Sequence, residues 1–283
     1  MIDSQNKSKP IGVFDSGLGG LTSLRRLREL LPGEDIYYFG DTARVPYGGR
    51  SREVIAGYAE DDARFLLSKG VKALLVACNT VCSAAIDVVR RAAKAENVPV
   101  FEVVDAPALA AVNATNNRRV FIFGTRATVD SGAYEAAIRR FAEDNGKLVA
   151  TKAAACSLFV PLVESGYTSP ESELVRLAVR EYTPAVTDFG ADTLILGCTH
   201  YPLLSRAIKQ ALPKNILLID SGAVAAEHCA ASLRTAGLLR DSESGGVTKY
   251  FVTDSAEIFS EYAGRYLGTD EALTAEKVVL PQL

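Results

Sequence analysis

Short apolar runs alternate along this chain with longer stretches whose apolar residues recur every three or four positions. Residues 11–14, 35–39, 71–77, 99–104, 120–123, 147–155, 193–196, 215–219 and 249–252 are runs of the first kind and predict strands. Leucines at 21, 24, 27, 30 and 31 predict a helix that Pro32-Gly33 stops. Residues 50–69 read as a second helix ended by Gly70, and a third runs from residue 79 through Lys94. Strand–helix alternation of this kind predicts an α/β fold with mainly parallel sheets and right-handed crossovers.

The pattern repeats. An apolar strand, a cysteine loop, a helix and a new strand run from Val71 to Asp105, and again from Ala191 to Asp220. Ahead of each lies a strand that turns through glycine into a helix: Ile11-Gly-Val-Phe-Asp-Ser-Gly17 and Val120-Phe-Ile-Phe-Gly124. We read two similar α/β domains related by a pseudo-twofold, residues 1–100 plus 212–283 and residues 101–211. Ligands in such sheets bind at the carboxyl ends of the strands. A cleft between the domains is therefore the expected active site.

Composition narrows the class. At 283 residues the chain can bury one large or two moderate cores. Hydrophobic residues make up 48% and charged residues 23%, and the net charge is −3 with both signs interspersed. That balance argues against nucleic acid or an anionic membrane surface as the main partner. No apolar stretch approaches the roughly 20 residues of a membrane span, and the polar first ten residues lack a signal core. Five scattered cysteines predict free thiols in a reducing compartment, by default the cytoplasm.

Two of those cysteines carry the chemistry. Cys78 and Cys198 each end an apolar run at matching points of the repeat. A thiol at the start of a helix meets unpaired amides and the positive end of the dipole, which can lower its pKa from about 8.5. Two such thiols facing one cleft could remove a proton from one face of a carbon and return it to the other. Asn79 and Thr80 after Cys78, and Thr199 and His200 after Cys198, supply donors that could hold a small anionic substrate. The loop Asp15-Ser-Gly-Leu-Gly-Gly20 superficially resembles a dinucleotide-binding turn, with Asp41 at ribose distance. Thr22 breaks that pattern, and Asp15 would repel a pyrophosphate. Asp15 makes better sense near a thiol or a substrate ammonium.

Taken together, Asp15-Ser-Gly-x-Gly-Gly20, Val45-Pro-Tyr-Gly48, Ala77-Cys-Asn-Thr80, Phe159-Val-Pro-Leu-Val-Glu164 and Gly197-Cys-Thr-His-Tyr-Pro-Leu-Leu204 resemble bacterial glutamate racemases of the aspartate/glutamate racemase superfamily. The resemblance implies a cofactor-independent enzyme that interconverts L- and D-glutamate and feeds peptidoglycan synthesis. It implies Cys78 and Cys198 as the acid/base thiols, the first for the D- and the second for the L-glutamate proton. Asp15 matches the carboxylate supporting the first thiol; Glu164 and His200 match the groups supporting the second. Ser16, Tyr47, Gly48, Asn79, Thr80 and Thr199, with Asp15 and His200, match substrate-binding positions. The resemblance further implies a homodimer and a possible peptidoglycan-precursor effector. Ser157 departs from the family pattern, which has proline after Cys156.

The remaining candidates read more plainly. Cys82, Cys156 and Cys229 are packing thiols, and His228-Cys229 lacks further ligands at metal spacing. No metal site is predicted. Two alternatives stay open from the sequence: an aspartate racemase or related two-thiol enzyme, and a nucleotide-binding module without catalysis.

Overall fold

The computed structural model describes residues 4–241 and 244–280. Ten strands form among them: β1 (Ile11–Asp15), β2 (Ile36–Gly40), β3 (Ala73–Val76), β4 (Val100–Glu102), β5 (Arg119–Gly124), β6 (Ala150–Ala155), β7 (Thr193–Gly197), β8 (Leu217–Asp220), β9 (Thr248–Val252) and β10 (Ala275–Lys277). They make two sheets, ordered β10-β9-β2-β1-β3-β4 and β6-β5-β7-β8, and every pairing is parallel.

Helices cover both sheets, so the central strands are buried on both faces. Ile11, Val13 and Phe14 of β1, Leu74, Leu75 and Val76 of β3, and Leu194, Ile195 and Leu196 of β7 are almost fully enclosed. That explains why these strands read as continuous apolar runs rather than as alternating ones. Each such side chain contributes roughly 1.5–3 kcal/mol by leaving water.

The repeat has a structural counterpart. The order β2-β1-β3-β4 in the first sheet matches β6-β5-β7-β8 in the second, so β1 corresponds to β5 and β3 to β7. The first sheet adds β9 and β10 beyond β2. The strand pairings cross the boundaries expected at residues 100 and 212. A boundary at residue 212 assigns residues 217–220 to the first domain, but β8 pairs with β7. The helix Ser205–Ala211 is a crossover that returns the chain to the edge of the same sheet. A boundary at residue 100 falls at the start of β4, which pairs with β3. The strand β10 is additional to the expected ones: it reads Ala-Glu-Lys and has no apolar pattern to predict it.

Candidate active site

The matched order places the two halves' chemistry at strand ends. In each sheet the chain reverses direction of winding between β1 and β3, or between β5 and β7, and such switch points open a crevice at the carboxyl ends. Cys78 follows β3 and is the N-cap of the helix Asn79–Ala95. Cys198 follows β7. Both line one cavity of about 310 Å³. Ser16, Tyr47, Gly48, Asn79 and Thr80 join Cys78 on its wall, and Glu164, Thr199 and His200 join Cys198. Asp15 is behind the wall, 1% exposed, rather than on it.

The loop after β1 docks the two halves together. A Cβ at Gly19 would lie 2.1 Å from Thr199 Oγ1 and 2.7 Å from His200 Nδ1. At Gly20 it would lie 2.5 Å from the Asp15 Cβ. Thr22, the residue that breaks the dinucleotide pattern, donates its hydroxyl to the Thr199 carbonyl at 3.0 Å. Gly19 thus admits the loop against Thr199 and His200, and Gly20 lets it close over Asp15, which accounts for both without a phosphate.

Around Cys78 the charge is negative. Its thiol donates to Ser16 Oγ at 3.5 Å. Asp15 Oδ2 accepts from the Gly17 amide at 3.0 Å, while its buried Oδ1 has no partner. Burial raises the Asp15 pKa, although His200 and the Gly17, Gly20 and Ser16 amides pull it down. Burial and the nearby Asp15 carboxylate push the Cys78 thiol up to about 12, against the opposing effects of Ser16 and the Val81 amide. The expected lowering by the helix start is present but is outweighed.

Around Cys198 the local structure differs. No α-helix begins at once: Thr199 and His200 lead into a 3₁₀ turn, Tyr201–Leu204, before Ser205–Ala211. Pro202 lacks the amide an α-helical turn would use. His200 Nδ1 lies 3.9 Å from Cys198 Sγ and 3.4 Å from Thr199 Oγ1. Its Nε2 lies 3.3 Å from Glu164 Oε1 without hydrogen-bond alignment. Burial disfavours the imidazolium, but Cys198, Glu164 and Asp15 outweigh it and raise the His200 pKa to about 10. Glu164 itself is half exposed at the cavity edge.

Several neighbours are committed elsewhere. The Tyr47 hydroxyl donates to the carboxylates of Asp41 and Asp62, so Tyr47 offers the cavity its ring and backbone. Asn79 Oδ1 accepts from the Tyr134 hydroxyl at 2.7 Å, which orients its amide. The Thr80 and Thr125 hydroxyls lie 3.3 Å apart across the cavity.

Thr125 was not anticipated. It follows β5 as Ser16 follows β1, so the repeat itself was the signal. Arg126, Val160 and Pro161 also line the cavity. Cys156, read as a packing thiol, is fully buried yet reaches the same wall, and burial raises its pKa. Ser157 beside it is exposed there. Cys82 donates to the Val76 carbonyl at 3.5 Å, and His228 packs edge-on against Phe101. Among the described residues, no group of three or more His, Cys, Asp or Glu side chains could hold a metal. Nor is any helix there long and apolar enough to cross a membrane.

Residues 22–229 match the model of the Asp/Glu/hydantoin racemase family. The chain belongs to this family. A glutamate racemase of Neisseria meningitidis serogroup C is 43% identical over 267 residues, covering 94% of this chain and 96% of that one. The structure of Francisella tularensis glutamate racemase in complex with D-glutamate aligns with a TM-score of 0.87 at 36% identity, over 96% of this chain and 98% of that one. Escherichia coli glutamate racemase, solved with L-glutamate and activator UDP-MurNAc-ala, aligns at 0.74 and 28% identity, over 97% and 100%. The family's two-domain architecture is therefore shared along nearly the whole chain.

Proposed function

We propose that this protein is a glutamate racemase that works without a cofactor, using Cys78 and Cys198 as the two acid/base groups. One observation carries the reading: two thiols at equivalent strand ends of two matched sheets line a single cavity. The α-proton of an amino acid is a very weak acid, so positioned bases and electrostatic stabilisation of the developing carbanion must lower the barrier. Cys198 takes the proton of L-glutamate while Cys78 delivers one to the opposite face, and the roles reverse for D-glutamate. Burial and Asp15 keep Cys78 protonated, ready to donate. His200, charged over most of the pH range, offsets negative charge beside Cys198.

Asn79, Thr80, Thr125, Thr199 and the Ser16 and Gly48 backbone, all on the cavity wall, bind the substrate's carboxylates and ammonium. Glutamate as substrate is supported by the ligands of the Francisella and Escherichia enzymes. In the same reading the protein is a cytoplasmic homodimer that supplies D-glutamate for peptidoglycan and cell shape. The Escherichia complex supports a peptidoglycan-precursor effector.

Circular dichroism of single enantiomers tests the assignment. Purified protein should erase the signal of L- and of D-glutamate and leave aspartate unchanged. Loss of the aspartate signal alone would make this an aspartate racemase, and no loss of either would end the racemase reading.

A further inference from the structure

The helix Ala256–Leu267 lies between β9 and β10, the two strands of the first sheet without counterparts in the second. Its last turn reaches across to the Cys198 half of the cavity. Arg265 Nη1 donates to the Val163 and Glu164 carbonyls, both at 3.3 Å. These carbonyls close the helix Phe159–Glu164, where a cationic donor satisfies acceptors that the helix leaves open. The same guanidinium lies over Gly166, whose φ of +90° turns the chain away after Glu164. The next residue, Tyr266, is 1% exposed. Its ring meets the His200 ring edge-on, with centroids 5.6 Å apart and an interplanar angle of 89°. Its buried hydroxyl has no hydrogen-bond partner, so packing on His200 rather than a polar bond accounts for its place there.

We infer that Arg265 and Tyr266 are positioning residues for the Cys198 proton transfer: Arg265 fixes the backbone that carries Glu164, and Tyr266 fixes the ring of His200. Two consecutive side chains of the first domain thereby hold both groups that flank the second domain's thiol. The Cys78 half has Asp15 and Ser16 of the loop beside it as its nearest support. The inference rests on the racemase reading above.

A racemase allows a test that merely structural damage does not mimic. Enantiomers have equal free energy, so kcat/KM must fall equally for L- and D-glutamate whatever is mutated. The primary isotope effects need not move together. With α-deuterated L-glutamate the effect reports the Cys198 step, and with α-deuterated D-glutamate the Cys78 step. Replacing Tyr266 by Leu removes the ring from His200. It should lower kcat/KM by roughly ten- to a hundredfold, the scale of a misplaced catalytic group. It should raise the isotope effect on L-glutamate and lower that on D-glutamate. Arg265→Gln, at an exposed position, should shift both effects in the same directions by less. Tyr266→Phe keeps the ring and should stay near wild type. Equal or unchanged isotope effects for Arg265→Gln and Tyr266→Leu, with or without lost activity, would overturn the inference. Absence of racemisation by the wild-type protein would instead remove the functional reading on which it rests.

Discussion

Cys78 and Cys198 stand at the same point of two sheets with the same strand order, but Cys78 has a carboxylate, Asp15, beside it, whereas Cys198 has an imidazole, His200, that faces Glu164. In register, Asp15 at the end of β1 corresponds to Gly124 at the end of β5. Thr80, two residues after Cys78, corresponds to His200, two residues after Cys198. One half thus has a carboxylate where the other has glycine, and the other has an imidazole where the first has a hydroxyl. Cys78 caps a 17-residue helix, whereas Cys198 lies two residues before His200, the N-cap of a 3₁₀ turn. A repeated backbone supplies two equivalent places for a thiol, while a few side chains after the strands give each thiol its own surroundings.

Removing either thiol breaks the comparison most completely. Cys78→Ser and Cys198→Ser should each reduce racemisation by about a hundred- to ten-thousandfold, the usual contribution of a positioned acid or base. Far-ultraviolet circular dichroism should show the fold unchanged. Asp15→Asn tests the negative half more finely. Without the carboxylate, Cys78 should ionise at lower pH, visible as thiolate absorbance rising earlier in a titration. No change would mean that burial alone raises the thiol.

The positive half has its own pH signature. The folded pKa of His200, about 10, exceeds an unfolded value of about 6.5. Between these values the native state binds more protons than the unfolded state, so stability falls as pH rises. The contribution is complete below about 6.5 and is lost as pH passes through about 10. Urea unfolding should show this slope in the wild-type protein and a flatter one in His200→Gln. The smallest effect concerns the docking loop. Gly19→Ala would press a methyl group on Thr199 and His200 and should cost about 1–3 kcal/mol in thermal unfolding. A neutral result would show that the two halves part easily at this loop.

Much of the scaffold was legible because parallel strands covered on both faces must be apolar throughout. Residues 71–77 and 193–196 announced β3 and β7, and the cysteines at their ends followed. What escaped the sequence had no local pattern. β10 is an edge strand of Ala-Glu-Lys, held by pairing with β9. The course of β8 depends on which sheet edge a crossover reaches, a tertiary outcome. Thr125 and Cys156 reach the cavity from single positions after β5 and β6, and only the repeat could have pointed to Thr125. The raised pKa of Cys78 was hidden because the helix start was visible in the sequence, whereas full burial and the approach of Asp15 were not. Arg265 and Tyr266 touch the site from more than 60 residues away in sequence, and no spacing rule connects them to Glu164 or His200.

In this mechanism two different thiols handle the two faces of the substrate. Following L-glutamate in heavy water at early conversion, by proton NMR and chiral separation, tests it directly. A two-thiol site predicts that the D-glutamate formed carries deuterium at the α-carbon while the remaining L-glutamate keeps its protium. Protium carried over into the product, or deuterium entering L-glutamate as fast as D-glutamate appears, would contradict it and point to a single shared base.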